Sequence, residues 1–215
     1  MRPDVFAPFD ELARSVLVTY QIEGDGAHDT THLERVWRNA KAIQAAEGGD
    51  LELLAASVLL HDCVQVPKNS PQRASASRLA AAEARRCLVR LQWTEHRIHV
   101  VAKAIESHSY SAGIEPTSLE GKILQDADRL DAIGLMGVAR CFYTAGRMGS
   151  ELYDSGDPRG GVRPLDDTRF ALDHFPKKLL RLTEGFHTTT GKSLARERQQ
   201  TLQAFYDVLL AEIGS

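Results

Sequence analysis

At 215 residues, with 43% hydrophobic and 26% charged side chains, the chain is long enough to bury one full core and has the make-up of an ordinary globular protein. Its formal net charge of −3 gives no overall basic field, so general coating of nucleic acid is not suggested, while local basic clusters could still hold a phosphate. No run nears the roughly 20 apolar residues of a membrane span, and residues 1–21 lack a basic stretch leading into a long apolar one, so neither an anchor nor a signal peptide is expected. The cysteines, Cys63, Cys87 and Cys141, are far apart and form no CxxC, which argues against a disulfide framework and fits a reducing cytoplasm.

Almost every segment reads as helix. Residues 4–20 carry a helical stripe of Val5, Phe6, Phe9, Leu12, Val16 and Leu17, broken by Gly24 and Gly26. Asp29, Thr30 or Thr31 can cap the next helix, whose apolar face is Leu33, Val36, Trp37, Ala40 and Ile43 and which ends at Gly48-Gly49. An apolar helix from Leu51 then runs into His61-Asp62, followed by a turn-rich loop from Val64 to Arg73 placed to cover a site. The Ala-rich helix 74–91 suits either core or the interface of a homodimer, and another helix is expected over 94–108. Thr117-x-x-Glu120 has the form of a capping box opening a long helix through Ile123, Leu124, Ala127, Leu130, Ile133 and Leu135.

From 147 to 168 periodicity gives way to Gly149, Gly156, Pro158, Gly160, Gly161 and Pro164. Such a long loop reads as a functional lid, a partly mobile excursion or a passive insertion. Helices over 170–186 and 190–213 complete the chain, the last with Leu202, Phe205, Tyr206, Leu209, Leu210 and Ile213 on one stripe. With no convincing strand and no repeat, the expected fold is all-α. A helix within 1–24 should pack on a single bundle formed by 25–215.

Three places carry metal-binding chemistry. His61 and Asp62 pair an imidazole with a carboxylate, which suits a divalent cation of the Mg, Mn, Fe or Zn kind. Neighbours on a helix point about 100° apart, so they can share a ligand only over a helix end or in a cleft. Cys63 beside them could add a soft ligand or simply fill the helix end. His32 opens its helix four residues after His28, although Asp29 has the look of a cap rather than a ligand. Finally, Asp126, Asp128 and Asp131 stand in an otherwise apolar helix, with Asp128 and Asp131 bordering its buried side. Unpaired carboxylates there are costly, so a cation, or Arg129, Arg140 or Lys122, has to neutralise them.

Taken together, His28-Asp29-x-x-His32-x-x-Arg35-Val36, then His61-Asp62, then Asp126-Ala127-Asp128-Arg129-Leu130-Asp131-Ala132-Ile133-Gly134 resemble the HD-domain metal-dependent phosphohydrolases. The resemblance is nearest to a bacterial branch that includes nucleoside triphosphate pyrophosphohydrolases. It continues through His174-Phe175-x-Lys177-Lys178-Leu179-Leu180 and Thr189-Thr190-Gly191-Lys192-x-Leu194-Ala195-x-x-Arg198, covering nearly the whole chain from about Asp25. It implies an HD-type helical bundle in which His32, His61, Asp62 and Asp128 hold one divalent ion, Mn²⁺ or Mg²⁺ first, with Fe²⁺, Ni²⁺ or Co²⁺ as alternatives. The motif has Leu60 before His61 and no second histidine, which disfavours the two-metal subtypes.

A cation of this kind polarises a phosphoryl oxygen and acidifies water, so no serine or cysteine nucleophile is needed. Asp131 or Asp62 is placed to take the proton. Arg35, one turn beyond His32, offers a bidentate phosphate clamp, and Lys68, His108, Lys122, Lys177 and Lys178 are further cationic or donor candidates. Tyr153 could stack on a base. The expected activity is hydrolysis of a small phosphorylated substrate, a nucleoside or deoxynucleoside triphosphate giving monophosphate and pyrophosphate. Competing readings are a phosphomonoesterase or cyclic-nucleotide phosphodiesterase on the same site, or a non-catalytic nucleotide sensor.

Overall fold

Leu51–Leu60 has no polar face, and a helix apolar all round must be covered all round. The structure, a computed structural model, describes residues 2–20, 30–64, 66, 75–109 and 112–214, with Thr30 by its backbone alone. Among its described residues every regular element is a helix, with one isolated bridge, Glu151 with Phe170, and no strand. They cluster as two compact units, Met1–Asp128 with His187–Gly191, and Arg129–Phe186 with Lys192–Ser215.

In the first unit a 3-10 turn, Pro3–Phe6, precedes α1, Asp10–Thr19. The single helix expected over 4–20 is therefore split at Pro8, which has no N–H to continue the ladder. α2 spans Thr30–Glu47 and buries Leu33, Val36, Trp37, Ala40 and Ile43, the face read from the sequence. The Trp37 ring stacks on Phe6 at 5.2 Å and its Nε1 donates to the Val5 carbonyl, fixing the N-terminal turn to α2.

α3 spans Leu51–Leu60, capped by the Asp50 carboxylate, which accepts from the N–H groups of Glu52 and Leu53. Every residue from Leu53 to Leu60 is buried, and α1, α2, α4 (Ala76–Arg90) and α5 (Glu95–Ser107) all pack on it. Full burial of each leucine or valine here is worth about 2 kcal/mol. Ala80, Ala81 and Ala84 place the Ala-rich face of α4 in the core, where α4 packs on α5.

α6 spans Leu119–Asp131. Ser118, not Thr117, caps it by accepting from the Gly121 N–H at 3.0 Å, and Glu120 instead accepts from the Asp50 N–H. The long helix expected to run through Leu135 stops at Asp131, because Ile133 is extended and Gly134 takes φ +68°.

In the second unit, α7 follows at once over Gly134–Met148. The Arg198 side chain lies against Gly134 and donates to the Leu130 carbonyl, satisfying one of the acceptors left over at the end of α6. Residues 149–170 form a built loop rather than a loose excursion. Arg163 grips Asp173 through two bonds of 2.6 and 2.8 Å and lies over the Phe170 ring at 4.6 Å. Asp157 accepts from the N–H groups of Gly161, Val162 and Arg163, and Glu151 and Leu152 exchange backbone bonds with Arg169, Ala171 and Leu172.

The helix expected over 170–186 is replaced by a 3-10 turn at Ala171–Asp173, the four-residue α8, His174–Lys177, and a 3-10 turn at Leu179–Arg181. Pro176 is tolerated only in a first turn, so a helix cannot run through it from 170. α9, Thr189–Glu212, closes the chain, its Phe205 and Tyr206 stacked on Phe175 at 6.0 and 5.3 Å.

Candidate metal centre

His61 and Asp62 lie just past the last residue of α3, with Leu60 its final helical position and His61 its C-cap. A helix end lets neighbouring side chains converge, and the His61 Nε2 stands 3.7 Å from Asp62 Oδ2. The first turn of α2 adds His32, and the last turn of α6 adds Asp128. His32 Nε2 lies 3.3 Å from His61 Nε2, 3.4 Å from Asp128 Oδ1 and 3.9 Å from Asp62 Oδ2. All four belong to the first unit.

Two ligands each about 2.1 Å from one ion stand roughly 3 Å apart when adjacent in an octahedron and roughly 4 Å apart when opposite. The observed separations match that range, so the donor set fits a divalent cation. The chemistry agrees. His61 Nδ1 is 2.8 Å from the Val58 carbonyl, which only accepts, so Nδ1 carries the proton and Nε2 is turned to the cluster. Burial pushes the His61 pKa below its usual value, outweighing the upward pull of Asp62 and Asp128, and favours the neutral, ligating form. Hard carboxylates with neutral imidazoles suit Mn²⁺, Mg²⁺ or Fe²⁺.

His108 also belongs here. Its Nδ1 donates to the Ile105 carbonyl at 2.7 Å, its Nε2 is 3.7 Å from Asp62 Oδ1, and its ring meets His61 edge-on at 5.0 Å. Expected as a donor to a substrate phosphate, it joins His61 and Asp62 in a second set of converging donors. Cys63 is no ligand in this arrangement, since its thiol donates to the Ala80 carbonyl and burial pushes its pKa up to about 12.

The remaining expectations separate. Arg35, on α2 with His32, donates to Thr31 Oγ1 at 2.8 Å. Lys122 precedes Asp128 by six residues, about 240° around the helix, and leaves α6 from a different face. Asp131, expected as a proton acceptor, is 1% exposed and bound at 2.8 Å by Arg140; an arginine rather than a cation balances it. Lys177 is held by Asp167, which also accepts from His174. His28, Asp29 and Lys68 lie outside the described residues.

Asp126, expected to be balanced by a cation or by Arg129, Arg140 or Lys122, is satisfied by backbone and hydroxyl donors instead, and its neighbour Gln125 had no role in the sequence reading. Asp126 accepts from the N–H groups of His187 and Thr188 and from Thr188 Oγ1, and a Cβ at Gly191 would run into its carboxylate. Gln125 links Ser107 to His187. The only signal for Gln125 was a polar residue on the buried side of α6.

The comparisons bear on this geometry. A model of the HD domain matches residues 30–133. YpgQ of Bacillus subtilis, an uncharacterised protein, is 32% identical over 207 residues that span 94% of this chain and 93% of YpgQ. This chain belongs to the HD-domain family. The crystal structure of YpgQ in complex with ADP superposes on this HD-domain protein with a TM-score of 0.73 and 32% identity, covering 94% of this chain and 98% of that one. An HD-superfamily hydrolase from Bacillus thuringiensis gives a TM-score of 0.71 at 28% identity, over 94% and 96% of the two chains. The HD-domain protein is a metal-dependent phosphohydrolase by family. No helix among its described residues is long and apolar enough to cross a membrane.

Proposed function

We propose that this HD-domain protein hydrolyses a phosphoanhydride of a nucleoside or deoxynucleoside triphosphate, giving the monophosphate and pyrophosphate. The observation that carries the reading is the convergence of His32, His61, Asp62 and Asp128, whose donor atoms lie 3.3–3.9 Å from one another in the measured pairs. These four would hold one divalent ion, Mn²⁺ or Mg²⁺ first. When bound, such an ion supplies Lewis acidity toward a phosphoryl oxygen and toward water.

The other roles fall to the chain itself. Asp62 presents Oδ2 to the two ligating imidazoles and Oδ1 to His108, so it can hold a water by one oxygen and take up its proton. His108 Nε2 can bond a phosphate oxygen or the attacking water. Arg35 supplies charge on the helix that carries His32. Capture of ADP by YpgQ, over nearly the full length of both chains, supports a nucleotide as the substrate class.

The test is a panel of ribo- and deoxynucleotides incubated with Mn²⁺, Mg²⁺, Co²⁺ or Ni²⁺, with products resolved by chromatography. Pyrophosphate and monophosphate in equal amounts are expected from triphosphates. Orthophosphate alone, or opening of a cyclic nucleotide, would replace this reading with a phosphomonoesterase or phosphodiesterase. Absence of any product with every metal would overturn it.

A further inference from the structure

Gln125 is 3% exposed, and both ends of its amide are used. Its Nε2 donates to the Ser107 carbonyl at 2.5 Å, and its Oε1 faces His187 Nε2 at 2.7 Å. A carbonyl can only accept, so the amide orientation is fixed and His187 must carry its proton on Nε2. The other His187 nitrogen lies 3.6 Å from Glu115 Oε1. Three segments therefore meet at one buried amide: the end of α5, the last two turns of α6, and the residues just before α9.

What they converge on is the support of His108. Ser107 is the last residue of α5, and its carbonyl is among the four that a helix end leaves without an internal partner. His108 follows as the C-cap, with its ring bonded back to Ile105 in the same turn. The position of its Nε2 against Asp62 thus depends on that turn being held. Gln125 holds it from α6, one helical turn before Asp128. An apolar residue would fill the same space with no polar atom to satisfy, so an amide here gains its purpose from the two directed bonds.

We propose that Gln125, oriented by His187, is a positioning residue that sets the His108 imidazole against Asp62. The proposal rests on reading this cluster as the hydrolytic centre, and its test has one arm that needs no turnover.

Gln125→Leu removes both bonds at similar size, His187→Ala removes one, and His187→Gln keeps a donor near the Nε2 position. Gln125→Leu and His187→Ala should each lower kcat about 10- to 100-fold, with KM and calorimetric Mn²⁺ affinity changed less than about threefold. His187→Gln should recover most of the loss. In ¹⁵N imidazole spectra of the nucleotide-free protein, the His108 Nδ1–H signal, assigned by its absence in His108→Gln, should move in Gln125→Leu and His187→Ala and return in His187→Gln. An unmoved His108 signal in His187→Ala, or a His187→Gln as impaired as His187→Ala, overturns the positioning role. If no nucleotide is turned over by the unmodified protein, the hydrolytic reading fails while the spectra still decide this one.

Discussion

His32 and His61 meet Nε2 to Nε2 at 3.3 Å, each about 1% exposed. Two buried imidazole nitrogens at that distance need a proton or a cation between them, and the Asp62 and Asp128 carboxylates supply the negative charge that selects a cation. Replacing His32, His61, Asp62 or Asp128 by alanine is therefore expected to weaken Mn²⁺ binding by about 100-fold or more and to abolish turnover. Calorimetric titration of Mn²⁺ into each variant checks the first, and product analysis the second. Saturating Mn²⁺ at about 100 times its Kd should also raise stability by about 2.7 kcal/mol, an effect that a chelator reverses.

Stability should depend on pH through His61. Its folded pKa lies below the ordinary value near 6.5, so in the metal-free protein folded and unfolded states are both neutral at this ring above that pH. As pH falls below about 6.5, only the unfolded ring takes up a proton, and stability is lost down to the folded pKa. Melting in the presence of a chelator from pH 8 to 5 should show a smaller loss for His61→Gln than for the unmodified protein. Equal slopes would refute this.

Asp131 and Arg140 provide a test of the catalytic base. Arg140→Leu removes the 2.8 Å ion pair of a carboxylate that is 1% exposed and should cost about 3 kcal/mol by chemical denaturation. Asp131→Asn should keep kcat within about tenfold, since the proton acceptor on this reading is Asp62. A loss of several orders of magnitude in Asp131→Asn would return the role to Asp131.

Arg163 organises the loop over 149–170. Arg163→Ala removes both bonds to the buried Asp173 and is expected to destabilise by about 3 kcal/mol. Limited proteolysis should then cut the loop much sooner than in the unmodified protein.

The sequence shows α2, α3 and α9 plainly because one-sided or all-round apolar patterns need no partner to be read. It hides the break between α6 and α7: Gly134 fits a helical pattern, and its φ of +68° becomes apparent only with Arg198 packed against it. Pro8 and Pro176 were available signals for the other two splits. The order in the 149–170 loop was not legible, because Asp157, Arg163 and Asp173 find each other without any periodicity. At the site, motif order pointed to His32, His61, Asp62 and Asp128, which the fold brings together, whereas the approach of His108 to Asp62 and the bridging by Gln125 are products of tertiary packing.

The burial of the donors is lopsided. The side chains of His32, His61 and His108 are 2%, 0% and 7% exposed, while those of Asp62 and Asp128 are 42% and 27% exposed. The nitrogen side is a sealed floor beneath the end of α3, and the oxygen side is the doorway. On the proposed reading, metal and phosphate would reach the histidines from that side, and a bulky substitution beside Asp62 should slow metal uptake before it disturbs the core.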